Sequence, residues 1–483
     1  MLDDLIRERQ RKLDLIRDAG IDPYPARVPR SFSIRKALDD FDALAKAGKE
    51  VSLAGRLRSV RDQGKIIFAD LEDGTGKVQI VMKEDAVPKF DFWRSAIDLG
   101  DFVSATGVMF ETKRGEKSVD VRGFAMAAKS LLPLPDKWEG IEDQELRLRK
   151  RYLDLIATPE LRELFRKKTV FWAAFREALV NEGFLEVETP VLQPLPGGAD
   201  AEPFKTHHNA LDTEFYLRIA LELSLKKLLV GGFDKVFEIG RVFRNEGIDR
   251  EHLQDFTFLE FYWAYHDYRD LMDLVERMYK EVIRRTCGGL TTVSGGVTID
   301  WGGAWPRIDY VEAFVKATGI DPLEADEKEL FAYAKKQGFD PEKHQGKGRL
   351  IDLIYKKTVR PTIVQPAFIM DPPVEVVPLA KRSAADPRRV ERMQPIACGT
   401  ELGNGYSELN DPQDQRARFE EQARMREAGD LEAQYLDEDF LEAMEYGMPP
   451  ATGFGVSERL FAILMDRPIR ETVFFPLMRE KKR

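Results

Sequence analysis

Residues 237–262, FEIGRVFRNEGIDREHLQDFTFLEFY, set charged and aromatic side chains between two apolar, strand-like ends. Arg244 and Glu246 fall at the tip of the first strand, where a guanidinium and a carboxylate can hold an anion and a polar donor. On the return strand Phe256, Glu260 and Tyr262 share one face, because side chains alternate with a period of two. A carboxylate buried among rings beside a guanidinium is costly unless a ligand or ion completes it. The stretch therefore reads as one wall of a cleft for an anionic reactant. Neither a Walker sequence nor GxGxxG occurs, so the standard phosphate loops are not the nucleotide site.

The rest of the chain must present that wall. Its 483 residues, 43% hydrophobic and 33% charged, suffice for at least two domains with their own cores. No apolar run reaches the ~18 residues of a membrane helix. The start, MLDDLIRERQRKLDLIRDAG, lacks the apolar centre of a signal peptide. Two cysteines, Cys287 and Cys398, support neither a disulfide framework nor a zinc site. These features lead to the expectation of a cytoplasmic protein with no membrane partner. The net charge of -10 lies mostly beyond residue 128, so any nucleic-acid contact must rest on local patches and specific readout.

Residues 1–50 read as a helical extension. Its first helix, over 2–19, interleaves leucines with Arg7, Arg9, Arg11 and Lys12, which suit either a nucleic-acid backbone or a solvated face. Residues 51–130 switch to five short strands with tight turns, the pattern of a five-stranded OB-type β-barrel. Phe68 and Gln79 fall on adjacent strands there, a ring for stacking and an amide for a base edge. A proline-broken linker is expected over 131–145. Residues 146–483 alternate strands with covering helices, an α+β layout expected to be mainly antiparallel. A strong helix precedes Gly183, its apolar stripe made by Leu164, Phe171, Phe175 and Leu179.

Along nearly its whole length the sequence resembles the bacterial-type class II lysyl-tRNA synthetases. FREALVNEGFLEVETPVL resembles the family's first motif, FRNEG…H…FTFLEFY its second and FGVSERLFAIL its third. RYLDL, GGADAEPFKTHHNALD, RIALE and ELGNGYSELNDP match in the same order. The resemblance implies a class II antiparallel catalytic sheet behind an anticodon-binding barrel, and a homodimer formed through residues 171–190. It also implies ATP-dependent attachment of lysine to tRNA(Lys) through lysyl-adenylate, with Mg²⁺ as cofactor. Arg244, Arg459 and Glu401 would then serve catalysis, and Glu246, His252 and Phe256 would hold ATP beside them. Gly198, Glu222, Glu260, Tyr262, Asn404 and Glu408 would join Arg244 around lysine. Glu408 and Tyr262 would receive the ε-ammonium, which an aspartate pocket would not want. Phe68 and Gln79 would read a U-rich anticodon.

The sequence departs from the family pattern at four places. Gln394 stands where the first of two metal-binding carboxylates is usual, seven residues before Glu401. The metal set is thus Glu401 with Gln394, whose amide oxygen is a weaker ligand. Thr400 replaces a common arginine, GFGVSER is one residue shorter than the usual third motif, and Gly123 replaces a glutamate beside the anticodon pair. These changes keep open an alternative, an RNA-binding regulatory relative with an inactive catalytic unit.

Overall fold

The computed structural model describes residues 2–134, 143–247, 252–343, 346–377, 379–427 and 433–479. The linker expected over 131–145 lies mostly outside them. The chain divides into two compact units, Met1–Glu142 and Asp143–Arg483.

In the first unit five strands alternate buried apolar with outward residues: β1 (Glu50–Asp62), β2 (Ile66–Glu72), β3 (Lys77–Lys83), β4 (Phe102–Glu111) and β5 (Lys117–Ala128). Ile67, Ala69 and Leu71 meet Val78, Ile80 and Met82 inside, with Val103, Ala105, Val119 and Val121 opposite. Their pairings run β1-β2-β3-β5-β4 and return to β1. The return depends on a parallel seam of four residue pairs, Gln79–Met82 of β3 against Ser118–Val121 of β5. The expectation of short strands is corrected: β1 has 13 residues and β5 has 12. Such length lets β1 serve two neighbours, β4 with its first half and β2 with its second. A register shift after Thr106 pinches β4 against β5 at Gly107, where a Cβ would lie 2.0 Å from the Asp120 carbonyl oxygen.

The helix Leu2–Asp18 does not offer the free basic face its sequence allows. Arg9 is buried, donating to the carbonyls of Leu99 at 2.8 Å and Ser130 at 3.0 Å, and Lys12 pairs with Asp98 at 2.7 Å. Arg7 and Arg11 pair with Asp4 and Glu8 within the helix.

The second unit opens with the helices Gln144–Arg149, Arg151–Ala157 and Leu161–Asn181, and its strands begin with β6 (Leu185–Glu186), then β7 (Leu192–Gln193), β8 (Lys205–His208) and β9 (Thr213–Leu217), the last three forming a small sheet of their own. The main sheet adds β10 (Lys235–Phe243) and β11 (Asp255–Ala264). After a hairpin of β12 (Thr291–Ser294) and β13 (Val297–Asp300) come β14 (Arg307–Asp309), β15 (Ala367–Met370), β16 (Arg392–Ala397), β17 (Thr400–Glu401), β18 (Asn404–Ser407) and β19 (Ala451–Ser457). The main-sheet order among the described residues is β14-β15-β16-β18-β19-β11-β10-β6, with β17 on β16. The expected antiparallel sheet needs a second correction. It is antiparallel from β15 to β10, but the edge pairs β14–β15 and β10–β6 are parallel. These edge strands arrive through helical or loop crossovers rather than hairpins, which permits the parallel sense.

Period-two alternation gives the sheet two different faces. Phe237, Leu259, Phe261, Phe454 and Val456 bury against the helices Leu161–Asn181 and Tyr268–Cys287. The residues between them are turned to the opposite face. Asp267 caps the second helix by accepting from the amides of Arg269 and Asp270.

Gly107→Ala should destabilise the protein by about 1–3 kcal/mol, read as an earlier unfolding transition in denaturant. Lysine-dependent pyrophosphate–ATP exchange, expected of the other unit, should persist.

Candidate active site

The side chains between the core-facing residues of β11 and β19 open onto a cavity of about 310 Å³. From β11, Phe256, Phe258, Glu260 and Tyr262 line it in unbroken alternation, and Gly453 and Gly455 of β19 pair with Tyr262 and Glu260. Asn404 and Tyr406 of β18, with Glu408 just beyond, form the next wall. Strict alternation would turn Glu401 away from them. Instead the pairing slips: Glu401 faces Ile396 and Gly405 faces Met393, so five residues on one side span four on the other. This bulge brings Glu401 onto the cavity wall. Gly403 permits it, since a Cβ there would lie 2.3 Å from the Phe454 ring.

Arg244 leaves the end of β10 with Nε donating to the Ile219 carbonyl at 3.2 Å. Its guanidinium lies 5.4 Å from the centre of the Phe256 ring and 5.7 Å from that of Phe258. Burial lowers its pKa, opposed by Glu246, Glu260 and Glu401, and the group remains a cation. Arg459 lines the same cavity, and among the described residues its buried Nε has no hydrogen-bond partner. Glu458, just before it, is tied on both oxygens: Lys168 of the Leu161–Asn181 helix donates to Oε2 at 2.7 Å, and the Thr257 amide donates to Oε1 at 3.1 Å. Burial presses the Lys168 pKa down even against that carboxylate. Beneath Arg244 the Arg218–Glu238 pair, at 2.7 Å, is buried and completed by Thr189.

The opposite end is acidic. Glu222, Glu260 and Glu408 are all buried. Glu260 accepts from the Leu221 amide at 3.2 Å and the Tyr262 hydroxyl at 3.1 Å. Burial, reinforced by Glu222, pushes its pKa up to about 8. Burial likewise raises Glu408 well above the carboxylate range, and raises the Tyr262 and Tyr406 hydroxyls. Lys226 sits between Glu222 and Glu408. Gly198, with φ +83°, passes close to Glu222: a Cβ there would lie 2.9 Å from that of Glu222.

All the catalytic-unit residues expected from sequence line this one cavity except Gln394. That amide is buried behind the wall and donates to Glu401 Oε2 at 2.7 Å. It thus orients the carboxylate rather than facing the cavity. Val456, within the shortened third-motif match, is buried in the helix-packed core and does not line the cavity. Sequence reasoning missed Lys226, Arg392, Tyr406 and Gly453. Tyr406 alternates with Asn404 and Glu408 and was readable from periodicity, whereas Lys226, one helical turn after Glu222, is joined to Glu408 only by the fold. Arg392, which donates to Asn404 Oδ1 at 2.6 Å, is placed by strand pairing alone.

In the first unit Phe68 and Gln79 are half-buried on the same outward face, Phe68 opposite Val81 and Gln79 opposite Asp70. Ser118 donates to Gln79 Oε1 at 3.1 Å, so the amide oxygen already has a partner within the unit. Gly123 pairs with Thr106, and a Cβ there would meet only ordinary contact at 3.5 Å.

Residues 143–479 match the family described as tRNA synthetases class II (D, K and N), and residues 51–125 match the OB-fold nucleic acid binding domain. The sheet and its charged cavity are therefore those of a class II synthetase. Among curated proteins the chain is 46% identical over 487 residues to the lysine–tRNA ligase of Roseiflexus castenholzii, covering 100% of each. It is 46% identical to that of Moorella thermoacetica, over 99% of this chain and 98% of the relative. With that of Staphylococcus aureus it shares 43% identity, over 99% of each. The chain belongs to the lysine–tRNA ligase family.

Glu260 gives the site a pH signature. Its folded pKa, about 8, exceeds the usual carboxylate value, so the folded chain binds more protons than the unfolded one between those limits. Stability of the ligand-free protein should fall as pH rises through that window, by a few kcal/mol at most. Denaturant titrations from pH 5 to 9 should show the slope in the parent and a flatter profile in Glu260→Gln; equal slopes would remove the assignment.

Proposed function

We propose that the protein activates L-lysine with ATP as lysyl-adenylate and transfers the lysyl group to tRNA(Lys). The observation that carries this reading is the polarity of the cavity: Arg244 and Arg459 lie in each other's field, Glu222, Glu260 and Glu408 cluster with one another, and Glu260 joins the two groups by also acting on Arg244. Lysine fits that polarity in one direction. Its ammonium groups go to the carboxylates and its carboxylate goes toward Arg244, assisted by the Asn404 amide that Arg392 orients.

In the first step an oxygen of the lysine carboxylate attacks the α-phosphorus of ATP and pyrophosphate leaves. Both reactants are anionic, so the barrier falls when fixed cations meet the charge developing on the phosphoryl oxygens. Arg244 is placed to bridge the two reactants, and Arg459, with Nε unbonded, has donor capacity for the nucleotide. Phe256 and Phe258 supply ring faces for adenine, Glu246 an acceptor for its amino group, and His252 a contact to the terminal phosphates. In the second step a terminal ribose hydroxyl of tRNA attacks the lysyl carbonyl and AMP leaves.

Mg²⁺ fits as an ion that arrives with the triphosphate. Among the described residues no group of three or more His, Cys, Asp or Glu is arranged to hold a metal. Glu401, steadied by Gln394, offers one carboxylate, and such ions often take one or two together with substrate phosphates. When bound, the ion neutralises phosphate charge.

The reading extends to an anticodon-binding domain over residues 51–130, which stacks the anticodon on Phe68 and reads it with Gln79, and to a catalytic domain over 146–483. It includes cytoplasmic localisation. It also includes a homodimer through residues 171–190, supported by the exposed apolar side chains of Val180 and Leu185 with the neighbouring Val191 and Leu192. Among the described residues no helix is long and apolar enough to cross a membrane.

Lysine-dependent pyrophosphate–ATP exchange tests the activity, and exchange with another amino acid instead of lysine would sink the substrate assignment. Arg244→Ala should abolish exchange. Phe68→Ala should leave exchange at the parent level while raising the KM for tRNA about ten- to hundredfold, the worth of one stacked base. Normal charging by F68A would remove Phe68 from the anticodon site.

A further inference from the structure

Lys226 lies on the Glu222–Val230 helix, one turn after Glu222, with its side chain fully buried. Nζ donates to Glu222 Oε1 at 2.6 Å and forms an ion pair with Glu408 Oε2. The Tyr406 hydroxyl donates to the same Glu222 oxygen at 2.7 Å, and the Tyr406 and Tyr262 rings lie 5.5 and 5.9 Å from the ammonium. One internal cation thereby engages one oxygen of each of two carboxylates from different elements. Among the described residues both Glu408 oxygens are buried without a regular hydrogen bond, and only Oε2 has the ion pair with Lys226, so Oε1 is left with no partner of either kind. Space beside it is kept by Gly453, where a Cβ would come within 2.4 Å of Oε1 and 2.3 Å of the Tyr262 ring.

Two physical consequences follow for the ligand. Glu222, Glu260 and Glu408 carry three negative charges when ionised, and Lys226 offsets one. Lysine brings two ammonium groups for the remaining two, so the buried set is balanced only with Lys226 present. A carboxylate left unpaired at this depth is strongly unfavourable. Geometry adds a second effect. A guanidinium binds a carboxylate best through two parallel N–H···O bonds, which require both oxygens. With Oε2 of Glu408 already taken, Oε1 alone remains, and that suits a compact ammonium.

Resting on the proposed lysine site, we propose that Lys226 is a specificity-determining positioning residue that masks one oxygen of Glu408 and so selects a primary ammonium over a guanidinium. Glu222 and Glu408 outweigh the burial of Lys226 and keep it cationic. The groups facing it are Glu222 on its own helix, Glu260 and Tyr262 from β11, and Tyr406 and Glu408 from β18 and the residues after it.

Pyrophosphate–ATP exchange by Lys226→Met, Lys226→Arg and the parent, with lysine and with arginine as substrate or inhibitor, tests this. K226M should raise the lysine KM about tenfold or more with a smaller change in kcat, and should strengthen arginine binding by a similar factor. Its lysine KM should also fall as pH rises from 7 to 9, more steeply than in the parent, because carboxylates freed of Lys226 retain a proton that lysine must displace. K226R, which keeps the cation, should retain the parent preference and pH profile. K226M values matching the parent in all three readouts would overturn the proposal, as would K226M and K226R behaving alike. If K226M does not fold by circular dichroism, K226R decides: loss of its lysine preference overturns the proposal. Absence of lysine-dependent exchange in the parent would instead defeat the functional reading itself.

Discussion

A carboxylate removed from water is tolerable only beside a cation, a proton or a set of donors, and the catalytic unit buries three such groups around one small space. The architecture around them serves that constraint. Glu260 sits mid-strand on β11, where the pairings to β10 and β19 hold it from both sides. Glu222 begins a helix packed on the same sheet, so its carboxylate is carried by a rigid element. Glu408 enters through a strand whose bulge also recruits Glu401. A cavity that gathers three buried carboxylates around a single lysine, together with two arginines, favours a ligand that brings ammonium groups to the first set and a carboxylate to the second.

Much of this was legible in the chain. Alternation in residues 256–262 assigned one face to the cavity and left the intervening Leu259 and Phe261 for the core, as the structure has them. Alternation failed at Glu401 because a bulge is a property of two paired strands: Gly403 and Gly405 mark where one could form, but the slip between the Glu401–Ile396 and Gly405–Met393 pairs is visible only in the sheet. The same limit hid Arg392. Lys226 was overlooked for a different reason: in a leucine-rich helix a lysine reads as solvated, and only the fold brings Glu408 to it. The edge strands were misjudged because strand sense depends on connections, and the short runs at β6 and β14 carry no mark of direction.

The departures from the family pattern also acquire a physical meaning. A carboxylate at position 394 would place two like charges side by side, which a shared cation must hold together. Gln394 replaces that repulsion with a hydrogen bond, fixing Glu401 before any ligand is bound. The gain in order is accompanied by the loss of one carboxylate charge beside Glu401.

The Lys168–Glu458 pair carries a mechanical consequence. Glu458 is the residue before Arg459, its other oxygen is held by the backbone of β11, and Lys168 reaches it from a long helix whose outer side shows Val170 and Val180. A buried ion pair stretches little before it fails. Arg459 is therefore tied through its neighbour Glu458 to the seating of that helix and to the backbone of β11.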